Sequence, residues 1–176
     1  MTTDNTTTPA PRPQQLPPPC RSWMDRPLEL ATLDRLVTAG RRLIVLSGPQ
    51  GAGKTTLAVH WAYEHLQRFP DGQLYADLGT CSDTGPALPS DILRGWLRAL
   101  GNTRTELPED LPALAAEFQH RTEGMRLLVL LNDAISAAQV KCLLSTSASA
   151  VTLVTTPWRL GGLHLDGAEF MRVELR

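Results

Sequence analysis

LIVLSGPQGAGKTT, residues 43–56, sets an unbroken apolar run against a glycine-rich stretch that closes on Lys54, Thr55 and Thr56. The run Leu43 to Ser47 shows no polar alternation, the pattern of a strand buried on both faces of a parallel sheet. Behind it, Gly48-Pro49-Gln50-Gly51-Ala52-Gly53-Lys54-Thr55 satisfies the spacing GxxxxGK[ST]. That spacing has a mechanism only where the loop joins a strand to a helix. Residues 54–69, KTTLAVHWAYEHLQRF, read as the helix, closed by the turn Pro70-Asp71-Gly72. The glycines let backbone N–H groups curl around phosphate oxygens, and the helix start adds unsatisfied donors and the positive end of its dipole. Lys54 is placed to reach the β and γ phosphates, and the Thr55 hydroxyl to ligate Mg2+. The expected phosphate-contacting set is Gly48, Pro49, Gln50, Gly51, Ala52, Gly53, Lys54, Thr55 and Thr56. A glycine-rich turn with a stray lysine is the bland alternative, and the strand–helix context argues against it.

Outward from this loop, strand-like and helix-like segments alternate. Leu28, Leu30, Leu33, Leu36 and Val37 recur at helical spacing, with Gly40 placed as a C-terminal cap. QLYADLG (73–79), RLLVLL (126–131), AVTLVTT (150–156) and FMRVEL (170–175) read as further strands. Between them, DILRGWLRAL (91–100), LPALAAEFQHRT (111–122) and SAAQVKCLLS (136–145) read as helices, and residues 79–88 as a connecting loop. Such alternation predicts an α/β fold: a P-loop NTPase-like parallel β-sheet of about five strands with helices on both faces, a three-layer α/β/α arrangement.

The rest of the composition bounds the answer. Six of the 14 prolines precede residue 20, in a stretch with almost no large apolar residue, so residues 1–22 are expected to be a disordered Pro/Thr-rich tail. Residues 23–176 then form one nucleotide-binding domain. A net charge of −1 carries no electrostatic footprint for nucleic acid or for a membrane surface. No apolar run is long enough to span a bilayer and no secretory signal is legible, so the expected location is cytoplasmic. The three cysteines lie far apart without a CxxC pair, and His60 and His65 do not share a helix face, so a metal held by side chains alone is not expected.

A phosphate loop of this kind needs an acid at the end of a neighbouring buried strand. The strand RLLVLL ends in Asn132-Asp133, which leaves three readings open. Asn132, first after the apolar run, would hold a metal-bound water without charge. Asp133 would orient the attacking water or, after a one-residue slip or bulge, enter the metal position beside Thr55. Because both faces of the strand are apolar, periodicity does not settle its register. Alternatively the pair merely caps the helix near Ser136.

Taken together, WMDRPLELATLDRL, GPQGAGKTTLAVHWA, FPDGQLYADLG, LLVLLNDAISAAQV and VTTPWRLGGL resemble the nucleotide-binding domain of NB-ARC and related STAND-type signalling ATPases. The resemblance is strongest to the central domain of bacterial SARP-type transcriptional regulators and runs from about Trp23 onward. It implies that Arg26 lies near the adenine and that Thr155 and Thr156 keep the family's small hydroxyls, with Thr156 a candidate nucleotide contact. Three positions depart from the family pattern. Asp25 replaces a glycine, Asn132-Asp133 reverses the usual Asp-Asn order, and Pro157 stands where a γ-phosphate-sensing arginine is usual, with Arg159 two positions on. The family's closing subdomains and its DNA-binding helix-turn-helix are not legible in these 176 residues.

The function expected from this reading is a regulatory module that binds ATP or ADP with Mg2+ and is at most a slow ATPase. Losing one transition-state charge stabiliser costs phosphoryl transfer orders of magnitude in rate. Other protein domains or self-association are the expected partners besides nucleotide. A small-molecule kinase with a lid bearing Arg94, Arg98, Arg104 and Arg121 is an alternative, as is a non-catalytic interaction domain or fragment.

Overall fold

In the computed structural model of the chain, the described residues are 12–79, 81–82, 85–103 and 106–175. The first helix, α1 (Pro27–Thr38), starts at a proline, whose missing N–H costs nothing there, and stops where Gly40 takes a left-handed φ of 84°. Strand β1 (Leu43–Ser47) leads through the glycine-rich loop into α2 (Lys54–Glu64). β2 (Gly72–Asp77) follows, then a small antiparallel pair, β3 (Cys81–Ser82) and β4 (Gly85–Pro86). Helices α3 (Pro89–Ala99) and α4 (Leu111–Thr122) precede β5 (Leu127–Asn132), the short α5 (Ala137–Lys141), β6 (Val151–Thr156) and β7 (Glu169–Arg172).

The main sheet has five parallel strands in the order β2-β5-β6-β1-β7, as expected from the alternation of elements. Two apolar layers lie on its two faces. Ile44, Leu46, Leu128, Leu130 and Leu153 pack with Leu33, Val37, Leu57 and Trp61 of α1 and α2. Val45, Leu74, Val129, Leu131 and Val154 pack with Leu93, Trp96, Leu97, Leu114 and Phe118 of α3 and α4. Consecutive residues of β1 and β5 thus feed opposite cores, the physical reason those runs carry no polar alternation.

Several segments differ from expectation: the loop expected over 79–88 carries the β3–β4 pair, and the helix expected over 136–145 ends at Lys141. The helix expected over 54–69 ends at Glu64 and resumes as a 3-10 turn, Leu66–Arg68. His65 stacks on Trp61, and its Nδ1 lies 2.8 Å from the Trp61 carbonyl that the His65 backbone N–H would use in a continuing helix. A second 3-10 segment, Gly161–Asp166, fills the connection between β6 and β7.

A further difference lies in the tail expected over residues 1–22. Residues 1–11 are outside the described residues, but the segment after them is ordered against the sheet. Gln73 N–H donates to the Pro13 carbonyl (2.7 Å), Gln15 N–H to the Gln73 carbonyl (3.1 Å), and Tyr75 N–H to Gln15 Oε1 (3.3 Å). Pro13 is buried, and a Cβ on Gly72 would come within 2.6 Å of the Pro13 carbonyl oxygen. This part of the tail covers the free edge of β2, and its order comes from backbone pairing, which composition does not register.

Candidate functional site

The glycine-rich loop is held from below by its own sequence neighbours and from outside by distant ones. Gly51 and Gly53 adopt φ of 79° and 78°, a left-handed geometry that only glycine takes without strain. The N-terminus of α2 has no side-chain cap and no acid in its first turn, so its orphan N–H groups are free for an anion. Lys54 is 5% exposed, and its Nζ donates to the Gly48 (3.0 Å) and Pro49 (2.8 Å) carbonyls. Burial lowers its pKa from the ordinary lysine value, and the nearby Asp133 charge opposes that shift. A desolvated ammonium at an uncapped helix start is chemically suited to an anion.

Arg26 is buried beneath the loop. Its Nη2 donates to the Ala52 carbonyl at 2.8 Å, while the guanidinium also meets the Glu174 carbonyl and pairs with Glu29 at 3.1 Å. Its described partners are thus protein groups that brace the loop. A recess of about 110 Å³ opens beside it, lined by Trp23, Arg26, Gly51, Ala52, Gly53 and Thr56 among others. Trp23 stands at its edge, stacked on His60 with ring centroids 4.1 Å apart. On the other side, residues 173–175 continue past β7 against the loop. Val173 N–H donates to the Ser47 carbonyl at 2.7 Å, and a Cβ on Gly48 would fall 2.0 Å from the Val173 carbonyl oxygen. No motif marks Val173 and Glu174 as parts of the loop's support.

At the end of β5 the structure gives the register of the Asn132-Asp133 pair. Asn132 pairs with Asp77 at the last position of an unbroken β2–β5 ladder, so no slip or bulge is present. Its Oδ1 accepts from the Thr55 hydroxyl (2.5 Å) and from the Thr155 hydroxyl (2.9 Å). The amide orientation follows from the partners. Turning it over would bring Oδ1 against the Asp133 carboxylate, where Nδ2 now donates at 3.4 Å to Oδ2. Asp133 lies beyond the ladder with φ 50°, its N–H donating to Thr155 Oγ1 at 3.0 Å. The capping alternative fails, because Ser136 caps α5 itself by accepting from Gln139 N–H.

Of the two hydroxyls at the end of β6, it is Thr155 that joins this network. Thr156 is buried, donates to the Ala134 carbonyl at 2.7 Å and accepts from Trp158 N–H, so its hydroxyl is engaged on the opposite side of the strand. Arg159 is exposed. Among the arginines of the kinase reading, Arg94 is taken up by Asp91 and the Glu109 carbonyl, and Arg121 by the Leu100 carbonyl. Arg98 is exposed, and Arg104 lies outside the described residues. No described helix is long and apolar enough to cross a membrane.

Tyr75, on β2, senses the same acids. Burial, and then the charges of Asp77 and Asp133, push its phenol up to about 12. The folded pKa exceeds the unfolded value of about 10, so this stabilisation is complete below pH ~10 and is lost as pH rises toward 12. Ultraviolet titration of the wild-type chain minus Tyr75→Phe should show the Tyr75 phenolate forming near 12. A difference curve centred on the ordinary tyrosine value would refute the burial of the phenol together with the placement of those charges.

No family model matches the chain. Over 98% of its length it is 39% identical to the regulatory protein AfsR of Streptomyces coelicolor, and it spans only 18% of that protein. Among solved structures, a STAND protein with a tetratricopeptide repeat sensor from Pyrococcus horikoshii aligns with TM-score 0.60 and 19% identity, over 91% of this chain and 24% of that one. The Aeropyrum pernix ORC2 protein, solved as ADPNP–ADP complexes, aligns with TM-score 0.56 and 18% identity, over 90% and 50%. At these identities the structural likeness concerns the fold.

Proposed function

We propose that this chain is a STAND-type P-loop domain of the kind found in SARP regulators, a regulatory module that holds ATP or ADP with Mg2+ and turns it over slowly, if at all. The observation that carries the reading is the charge inventory of the loop. One desolvated lysine and an uncapped helix start face the loop interior, and the strand end opposite offers an amide, Asn132, next to a single carboxylate, Asp133.

The residues present fit such a ligand. Gly48 to Thr56 supply backbone donors, and Lys54 exchanges two loop carbonyls for phosphate oxygens. The Thr55 hydroxyl directs its proton to Asn132 Oδ1, which leaves its oxygen lone pairs free for a cation. Bound Mg2+ would supply charge neutralisation between phosphates. Asn132 accepts the Thr55 proton and fixes that hydroxyl's direction, and Asp133 contributes the negative charge. Arg26 and Thr156, by contrast, act through the protein. Arg26 braces the loop at Ala52, and Thr156 ties β6 to Ala134. As the chain spans under a fifth of its long regulatory relative, we further propose that its partners are other protein domains or other copies of itself, and not nucleic acid.

Equilibrium binding of labelled ADP and ATP, with and without Mg2+, tests the proposal. Micromolar, saturable binding is expected, and its absence would overturn the reading. Turnover should be near background in the wild-type chain. Asn132→Asp adds the missing charge beside Thr55 and should raise ATP hydrolysis by about 100-fold, the scale of one preorganised electrostatic group. Robust hydrolysis by the wild-type chain would show that Asn132 is no handicap.

A further inference from the structure

Asp133 is the only non-glycine residue with positive φ among the described residues, at 50°. Aspartate tolerates that conformation better than most L-residues, but still at a cost its surroundings must offset. Two contacts do so from the β6 side. Asp133 N–H donates to Thr155 Oγ1 at 3.0 Å, and Ala134 N–H donates to the Thr155 carbonyl at 2.9 Å.

The third constraint comes from Gly79, just past β2. A Cβ there would lie 2.6 Å from Asp133 Cβ and 3.2 Å from its carbonyl oxygen. Asp133 Cβ is fixed by its own backbone and has no torsion by which to swing aside. Gly79 itself is outside the left-handed region, so its backbone conformation accepts any residue. The need for glycine therefore arises from the proximity of Asp133. It does not arise from the turn, which Asp77 closes by accepting from Gly79 N–H at 3.1 Å.

We propose that Gly79 is a positioning residue for Asp133: together with Thr155 it holds the acid in the one backbone conformation that serves a metal-bound nucleotide. This rests on the reading of the loop as a Mg–nucleotide site. Gly79 touches no ligand in this scheme; it admits the acid to its place.

Fluorescent ADP, with and without millimolar Mg2+, tests this on the full chain. In the wild type, Mg2+ should tighten ADP about tenfold, the scale of one added charge-assisted contact. Gly79→Ala should keep metal-free ADP binding and lose most of that gain, as should Asp133→Gly. The double variant Gly79→Ala/Asp133→Gly removes the facing Cβ and accepts positive φ. It should therefore recover whatever thermal stability Gly79→Ala loses, and still show no Mg2+ gain. A full Mg2+ gain in Gly79→Ala would overturn the proposal. So would equal loss of metal-free binding, or a wild-type affinity indifferent to Mg2+. A wild-type chain that binds no ADP at all would remove the functional reading, and the proposal with it.

Discussion

Lys54→Ala is expected to weaken ADP binding by about 100-fold or more, because it deletes a charged donor worth about 3 kcal/mol to a phosphate. The fold should survive. Lys54 spends its donors on the Gly48 and Pro49 carbonyls, and its lowered pKa marks burial as a cost. Removing a desolvated charge relieves that cost, and Gly48 and Pro49 are only half-buried. The expected pattern is therefore lost binding with a nearly unchanged melting temperature. Titration of labelled ADP alongside calorimetry would read both. A variant that still binds within threefold of wild type would show that the loop does not grip phosphate through Lys54.

Gly48→Ala should do the reverse and damage the fold first. The added methyl would sit 2.0 Å from the Val173 carbonyl oxygen and 3.1 Å from its carbon, both backbone atoms. No side chain can rotate to relieve this. Residues 173–175 would have to leave β1, breaking the Val173–Ser47 hydrogen bond and taking the Glu174 carbonyl away from Arg26. A loss of about 3 kcal/mol is expected, at the upper end for overpacking. Urea denaturation would measure it, with Gly95→Ala as the control. Gly95 lies within α3, where an added methyl would meet nothing within 4 Å, so alanine there should add about 0.5–1 kcal/mol. An unchanged midpoint for Gly48→Ala would contradict the close approach of the C-terminal segment to the loop.

The readable parts of this molecule are those in which neighbours in sequence settle the matter. Apolar runs at 43–47 and 127–131 are strands because both sheet faces are covered, and the glycine-lysine-threonine spacing lies where a strand turns into a helix. The departures at Asn132 and Pro157 were legible too, as residue identities. Their consequences were not. Asn132 and Asp133 are adjacent and polar, and a strand apolar on both faces leaves the pair's register open. Thr155 and Thr156 read alike in sequence, yet strand alternation sends one hydroxyl into the site network and the other to Ala134. The family resemblance puts Arg26 near a base, and nothing in the sequence shows that its guanidinium holds the Ala52 carbonyl under the loop.

Periodicity and spacing within about 15 residues therefore suffice for the layered α/β architecture and for the strand–loop–helix unit around Gly48 to Thr56. Folding in three dimensions was needed to show which of Asn132 and Asp133 faces Thr55 and which threonine steadies them. It was needed equally to show that Gly79 makes room for the acid, that Val173 closes against Gly48, and that Pro13 and Gln15 cover the edge of β2. Each of these joins residues brought together only by strand pairing. Side-chain direction there is set by a register with a period of two, which a single polar pair after an apolar run does not encode.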